Sequence, residues 1–171
     1  KKIRVVADEC FLRFHPHYEK MSCKRFLKQY PNLLIVNAFT KFYAMAGLRL
    51  GDLMTGDLSL LHAVAQQLPE WNVSSIAQRA GISALQDTEY EKRTRQLIEK
   101  ERRYLIQEFL KMGCTVFPSE ADYITFRLPQ EKTGFLLKER LLEGKILIRS
   151  CANYRNMPPD CYRIAVKQHA D

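Results

Sequence analysis

The residues of this sequence best suited to chemistry are a lysine and an arginine, Lys41 and Arg49, within the segment NAFTKFYAMAGLRLGD at residues 37–52. The lysine follows an apolar run, LLIV, which is typical of a buried strand. A lysine at the carboxyl end of such a strand can be partly desolvated, which lowers its pKa and lets it form a Schiff base with an aldehyde. An arginine nearby would supply a bidentate contact to an anion.

A third candidate, Asp8, follows an earlier apolar run, IRVVA at residues 3–7, which predicts another buried strand. Ligands of open α/β sheets bind at the carboxyl edge of the strands, where both Asp8 and Lys41 are expected. An amine, a carboxylate and an arginine are the groups that pyridoxal phosphate requires, for its aldehyde, its ring nitrogen and its phosphate. Each residue also has an ordinary alternative: a solvated lysine, a turn-forming aspartate and an arginine in a surface ion pair.

The elements that would position these residues change in kind along the chain. The pattern first predicts three strands of an α/β sheet and then helices, the longest at residues 87–112 with one apolar face for burial and with Gly113 as its C-cap. Asp57 and either Asn72 or Ser74 are the expected N-caps of the two preceding helices. The later part predicts a small α+β unit with strands at residues 114–119, 122–129, 145–151 and 161–167, the first two as a hairpin, and a helix at 133–144.

We therefore predict two domains, a segment of a larger α/β domain at residues 1–88 and a small α+β domain at residues 89–171. Three strands are few for an open parallel sheet, whose edges need cover. We expect the chain to be the C-terminal part of a longer protein.

Composition narrows the classes of protein. Hydrophobic residues are 46% and charged residues 27%, which is ordinary for a globular protein, and no apolar run approaches the roughly 20 residues that span a bilayer. The five cysteines lack CxxC pairs, so we expect reduced thiols, a cytoplasmic protein and no metal site. The net charge of +8 suits either anionic substrates or a basic nucleic-acid-binding module. Basic residues interleaved with glutamates favour the first, so no nucleic acid is expected.

Three segments resemble one known family. FTKFYAMAGLRLG at residues 39–51 resembles the cofactor-lysine motif of fold-type I pyridoxal-phosphate enzymes, in the branch of histidinol-phosphate aminotransferase and threonine-phosphate decarboxylase. VADECF at residues 6–11 resembles the aspartate motif of that family, and residues 145–167 resemble its C-terminal arginine segment. The resemblance covers nearly the whole chain, and it implies part of the large-domain sheet of the transferase fold plus the small C-terminal domain.

The resemblance implies a role for each matched residue. Lys41 would be the lysine that binds the cofactor aldehyde, and Asp8 would pair with the pyridine nitrogen. Thr40 and Arg49 would hold the cofactor phosphate. The substrate would be held by two later arginines, its carboxylate by Arg163 and its phosphate by Arg149.

The sequence departs from the family pattern at several positions. Ala38 stands where a phosphate-binding serine is usual, which removes one hydroxyl donor and about 1 kcal/mol of binding. Phe11 replaces a common tyrosine, as it tends to in the decarboxylase branch. Ala46 and Asp52 replace a proline and a tyrosine, with no consequence that the sequence reveals. The family's glycine-rich phosphate loop and ring-stacking aromatic precede the aspartate motif and have no counterpart here, so this chain alone is expected to be inactive.

Phrases such as ILIRSCANY and YRIAV favour the decarboxylase branch. The resemblance thus implies decarboxylation of L-threonine O-3-phosphate to aminopropanol phosphate, a step of cobalamin biosynthesis, by a cytoplasmic enzyme that forms a homodimer when intact. Its partner would be a phosphorylated amino acid. The same cofactor would also support the alternative, histidinol-phosphate or related class I/II transamination.

Overall fold

The computed structural model describes residues 3–132 and 136–169. The chain divides into two compact units, residues 1–94 and 95–171. The boundary predicted at residue 88 separates a cofactor-binding domain from a substrate-binding domain. A division by compactness does not test what either part binds, so this boundary stays a prediction. No helix among the described residues has the length and apolar character needed to cross a membrane.

The first unit contains a three-stranded sheet in the order β1-β2-β3. Its strands are β1 at Val5–Asp8, β2 at Leu33–Ala38 and β3 at Gly51–Thr55. β1 and β2 run parallel, whereas β2 and β3 run antiparallel. The mixed α/β fold class is confirmed, and the third strand adds an antiparallel neighbour.

Burial within this sheet differs from the expectation for β1. The first half of β2 is buried, and Ile35 is wholly inaccessible. Val5 and Val6 of β1 are 49% and 61% exposed, so the prediction of a buried first strand was wrong. The physical reason is that β1 lies at an end of the described sheet, where an apolar run has a neighbour on one side only.

The helices within the first unit are α1 at Tyr18–Met21, α2 at Leu58–Ala65 and α3 at Ser75–Gln86, and the last two begin where their capping residues predict. The Asp57 carboxylate accepts a hydrogen bond from the Leu60 amide at 3.0 Å, and the Ser74 hydroxyl accepts one from the Ala77 amide at 3.2 Å. Three short 3₁₀ turns complete the unit, at Leu12–Phe14, Cys23–Phe26 and Ala46–Leu48.

The longest helix, α4, spans Thr88–Lys111. It ends at Gly113, whose φ of +80° is the left-handed conformation expected of a glycine C-cap. Its buried residues are Glu101 and Arg102, and not the apolar positions that its sequence suggested. Glu101 accepts a hydrogen bond from the His169 amide at 3.0 Å, and Arg102 donates one to the Ala121 carbonyl at 3.0 Å.

The second unit contains a four-stranded antiparallel sheet in the order β4-β5-β7-β6. Its strands are β4 at Thr115–Val116, β5 at Tyr123–Arg127, β6 at Arg149–Ser150 and β7 at Cys161–Ala165. The predicted hairpin is β4–β5, and β6 is much shorter than predicted.

One face of this sheet builds the core of the second unit. α5 at Leu137–Glu143 contributes to it; the start of its predicted helix, residues 133–135, lies outside the described residues. The core comprises Cys114, Phe126, Ile148 and Tyr162, with Phe109, Leu137, Leu141 and Ile164 packed against them. Because side chains alternate along strands, the arginines at odd positions of β6 and β7 lie on the opposite face.

Candidate active site

Lys41 lies in the loop that connects β2 to β3, and its side chain is exposed. The two residues that follow it are buried, Phe42 at 2% exposure and Tyr43 at 7%. The Ala44 amide donates a hydrogen bond to the Lys41 carbonyl at 3.0 Å, closing a turn. The loop therefore buries its aromatic residues and leaves its amine accessible.

An aromatic cluster fixes this turn. The Phe42 ring meets Phe14 edge to face, with ring centroids 5.1 Å apart, and Tyr43 stacks between Phe39 at 5.2 Å and Tyr90 at 6.1 Å. The Tyr90 hydroxyl donates a hydrogen bond to the Phe42 carbonyl at 3.1 Å. Aromatic pairs of this kind contribute about 1 kcal/mol each beyond burial, so the backbone at Lys41 is held in place.

A partly buried polar network adds to this anchor, and the sequence alone did not reveal it. Arg13 donates hydrogen bonds to the Tyr43 hydroxyl at 2.7 Å and to the Glu91 carboxylate at 2.5 Å. The Tyr43 hydroxyl donates to the same carboxylate at 2.5 Å. Burial, and then the bond to Glu91, raise the pKa of Tyr43. The three residues are far apart in sequence, so only the folded chain brings them together.

Asp8 ends β1 with its side chain exposed. Its carboxylate accepts a hydrogen bond from the Cys10 amide at 3.0 Å. Hydrogen bonding from the Cys10 side chain, and then from this amide, holds the pKa of Asp8 below its ordinary value. Burial, and then Asp8 itself, raise the pKa of Cys10 to about 11. Asp8 is thus an ionised carboxylate at neutral pH.

Arg49 is the C-cap of the 3₁₀ turn that precedes β3, with a left-handed backbone at φ 53°. Its guanidinium donates a hydrogen bond to the Ala46 carbonyl at 3.2 Å and is otherwise exposed. Ala44, in the same loop, also has a φ of 53°. Thr40, next to Lys41, is half-buried.

Strand pairing brings these predicted site residues to one edge of the sheet. Asp8 pairs with Val36, near the carboxyl end of the parallel strand β2. Gly51, the first residue of the antiparallel strand β3, pairs with Ala38, the last residue of β2. Thr40, Lys41 and Arg49 all belong to the β2–β3 connection at that edge. The expectation from strand ends is met for backbone position.

A neighbouring cavity of about 440 Å³ opens beside this edge. Its walls are formed by residues of β2, β3 and α3 together with Cys10, Arg13 and Tyr43. Asp8, Thr40, Lys41 and Arg49 are not among the described residues that line it. The side chains of Asp8, Lys41 and Arg49 are exposed, so the first unit presents these three on an open edge, with Thr40 half-buried beside Lys41.

In the second unit, Arg149 and Arg163 are direct register partners across β6 and β7. Opposite residues of an antiparallel pair project from the same face, where like charges destabilise the pairing. Thr125 of β5 pairs with Arg163 from the other side, so Arg127, two residues along β5, shares the face. The sheet thus gathers three arginines on the face opposite the core.

These arginines differ in their partners. Arg127 forms an ion pair with the Asp160 carboxylate at 2.8 Å, and Asp160 is only 5% exposed. Arg163 lies over the Tyr123 ring, with its guanidinium carbon 4.8 Å from the centroid. Arg149 lies 5.5 Å from the Tyr154 centroid and donates a hydrogen bond to the Asn153 amide oxygen at 3.4 Å. Within the described part of the chain, neither Arg149 nor Arg163 contacts a carboxylate.

Two guanidinium groups that project from one face of the sheet, and that contact no carboxylate among the described residues, can bind an anion. Each can still make bidentate, charge-assisted hydrogen bonds to a carboxylate or a phosphate, and an anion would relieve their repulsion. The predicted substrate arginines are therefore brought together by the fold. The tyrosines and the asparagine beside them were missed, because their contacts depend on strand and loop geometry.

The chain is similar to known proteins over nearly its whole length. A family model described as Aminotransferase class I and II matches residues 1–171. Threonine-phosphate decarboxylase of Salmonella typhimurium is 35% identical over 169 residues, covering 98% of this chain and 45% of that protein. The crystal structure of histidinol-phosphate aminotransferase from Clostridium acetobutylicum superposes with a TM-score of 0.86 at 32% identity, covering 98% of this chain and 50% of that one.

A third comparison concerns the fold alone. Histidinol-phosphate aminotransferase from Sinorhizobium meliloti, solved in complex with pyridoxal-5′-phosphate, has a TM-score of 0.84 at 23% identity and covers 98% of this chain and 45% of that one. The chain spans about half the length of the relatives it matches. The sequence resemblance and the predicted fold are confirmed.

Proposed function

Because the chain belongs to the class I and II aminotransferase family, whose cofactor is pyridoxal phosphate, we propose that it is part of a decarboxylase that acts on L-threonine O-3-phosphate. The products are carbon dioxide and aminopropanol phosphate, a precursor for cobalamin biosynthesis. One observation carries the proposal: Arg149 and Arg163 are register partners across β6 and β7, and neither contacts a carboxylate among the described residues. A substrate with both a carboxylate and a phosphate supplies the two anions that this pair lacks.

The residues of the first unit fit pyridoxal phosphate by their chemistry. Lys41 offers an exposed amine on a backbone held by aromatic packing. Asp8 offers a carboxylate that hydrogen bonding from Cys10 keeps ionised, which suits a protonated ring nitrogen. Thr40 and Arg49 offer a hydroxyl and a guanidinium for the phosphate. Ala38 offers no hydroxyl, so phosphate contacts are fewer than the family pattern provides.

The residues of this chain divide the work as follows. The cofactor, when bound, withdraws electrons from the bonds at the substrate α-carbon. Asp8 holds the proton on the ring nitrogen, and Lys41 binds the cofactor and returns a proton to the α-carbon. Arg163 grips the substrate carboxylate and Arg149 its phosphate. By fixing both groups, the arginines select which bond at the α-carbon is aligned for cleavage.

Histidinol-phosphate transamination is the second candidate, supported by the 32% identity to the Clostridium acetobutylicum enzyme. Histidinol phosphate carries a phosphate but no carboxylate, so it would engage both arginines less fully than threonine phosphate. A dicarboxylic amino donor would use the pair in the other half-reaction. Carbon dioxide release from threonine phosphate supports decarboxylation, whereas glutamate formation from histidinol phosphate and 2-oxoglutarate would overturn it in favour of transamination.

Homodimerisation and a cytoplasmic location remain predictions from the family resemblance. Light scattering of the intact, full-length protein tests the first, and a doubled mass is the expected result. Fractionation of the source cells tests the second.

The cofactor assignment is tested by incubating the chain with substoichiometric pyridoxal phosphate, reducing with borohydride and mapping the modified peptide by mass spectrometry. We expect one adduct, on Lys41, which disappears in Lys41→Ala. The matched control is Lys92→Ala, an exposed lysine of α4, which should retain the adduct. Adducts spread over surface lysines and unchanged by Lys41→Ala would contradict the assignment.

A further inference from the structure

The partners of Arg149 are electrically neutral. Its guanidinium donates to the Asn153 amide oxygen at 3.4 Å and lies 5.5 Å from the centre of the Tyr154 ring, within the range of a cation–π contact. Arg127, on the same face of the sheet, is instead paired with Asp160. The two arginines on this face are therefore oriented differently. A carboxylate neutralises the charge of Arg127, whereas neutral groups hold Arg149 and leave its charge in place.

The turn that carries Asn153 and Tyr154 is fixed independently of Arg149. The Cys151 amide donates to the Cys161 carbonyl at 2.9 Å, and the Tyr154 amide donates to the Cys151 carbonyl at 2.8 Å. Cys151 is wholly buried, which anchors the start of the turn. The amide oxygen and the ring are thus presented to Arg149 by the backbone, and they restrict its otherwise free side chain.

We propose that Asn153 and Tyr154 are positioning residues that orient Arg149 for the phosphate of the substrate, and that the neutral amide at position 153 is a determinant of specificity for anions. This inference rests on the proposed function, since it assigns the phosphate to Arg149. The Asn153 carboxamide accepts one hydrogen bond from the Arg149 guanidinium. The remaining N–H donors and the full positive charge of the guanidinium stay available to the ligand. A carboxylate in the same place would occupy Arg149 as Asp160 occupies Arg127.

The near-isosteric change Asn153→Asp separates orientation from charge. It keeps the shape and the acceptor oxygen but adds a competing anion beside Arg149. The control is Asn156→Asp, the same charge change three residues along the same loop. Asn156 has a φ of 64°, and both asparagine and aspartate tolerate that conformation.

The test titrates inorganic phosphate into the 171-residue chain and follows the Nε–Hε resonance of Arg149 by NMR, assigned by its loss in Arg149→Ala. We expect Asn153→Asp to weaken phosphate binding about tenfold or more, since a charge-assisted contact is lost. Asn156→Asp should bind within about twofold of the unchanged chain, because it lacks the contact to Arg149. The melting temperature of Asn153→Asp should be equal or higher, since the new carboxylate gains an ion pair.

A merely structural role for Asn153 predicts the reverse pattern, a lower melting temperature with phosphate binding unchanged. That result would overturn the inference while leaving the proposed function intact, provided that phosphate still shifts the Arg149 resonance of the unchanged chain. Equal weakening of phosphate binding in Asn153→Asp and Asn156→Asp would attribute the effect to net charge, and that result would also overturn the inference. If phosphate leaves the Arg149 resonance of the unchanged chain unmoved, the assignment of phosphate to Arg149 fails, and the inference fails with it.

Discussion

Arg149 and Arg163 pair directly across β6 and β7, so that two cationic side chains project from the same face of the small sheet. Like charges in directly opposite positions destabilise a strand pair by a few tenths of a kcal/mol or more, about 0.5 kcal/mol being typical. An anion bound by the two arginines, as proposed above, would offset this cost. Removing either charge should therefore affect stability and anion binding in opposite directions.

The first prediction compares two arginines of this face. Arg163→Gln should leave the free energy of unfolding unchanged or raise it slightly, because it relieves repulsion. Arg127→Gln should lower it by about 2 kcal/mol, because Asp160 would be left buried without its ion-pair partner. Urea denaturation of both variants measures the difference, and a larger loss for Arg163→Gln would contradict the reading of the face as an anion site.

The second prediction concerns the loop of Lys41. Phe42→Ala should destabilise the chain by about 3 kcal/mol, since it empties a buried ring site between Phe14, Tyr43 and Tyr90. Lys41→Ala should change stability by less than about 0.5 kcal/mol, because the amine is exposed. Thermal denaturation of the two variants tests the separation between anchor and reactive group. Comparable losses would show that Lys41 itself supports the fold.

The third prediction concerns acid. Hydrogen bonding from the His169 side chain holds the pKa of Glu101 below its ordinary value. Because the folded-state pKa is the lower one, the stabilisation is fully present above the unfolded value of about 4.3 and is lost as pH falls through the folded value. Glu101→Gln should therefore make stability fall less steeply with pH between about pH 5 and pH 3.

Urea denaturation at several pH values in that range measures the slope. Glu143, an exposed residue near the end of α5, provides the control, and Glu143→Gln should leave the slope close to that of the unchanged chain. The same reduction in both variants would attribute the effect to net charge and would contradict a specific role for the Glu101–His169 contact.

The fourth prediction concerns the end of α4. Gly113 has a φ of +80°, where a side chain is strained, and an added Cβ would also lie 3.4 Å from the Pro129 ring. Gly113→Ala should cost about 1 kcal/mol of stability. Gly47→Ala is the matched control, because no atom lies within 4 Å of its added Cβ. Equal melting temperatures for the two variants would count against the C-cap role.

The sequence predicted best what short-range chemistry decides. Asp57 and Ser74 begin their helices and Gly113 ends one, because a cap needs only its own next few residues. The candidate residues Asp8 and Lys41 were found because each follows an apolar run, and strand pairing places both at one edge.

The sequence predicted poorly what distant partners decide. The apolar run of β1 suggested burial, but periodicity does not reveal whether a strand has neighbours on both sides. In the sequence, Glu101 and Arg102 of α4 are typical of a solvated helix face. In the fold they are buried and make contacts with His169 and Ala121. The contact of Asn153 with Arg149 likewise depends on the turn that brings the two residues together.

The left-handed backbone of Arg49 has an evolutionary consequence. A non-glycine residue in this conformation costs about 1 kcal/mol, and Ala44 in the same loop bears a similar cost. Selection for folding alone would favour glycine at both positions. Ala44 offers a reactant nothing beyond a methyl group, so replacement by glycine there is an open route to a more stable descendant. Arg49 has no such route without losing its guanidinium, so glycine at this position would relieve the backbone only by removing the proposed contact to the cofactor phosphate.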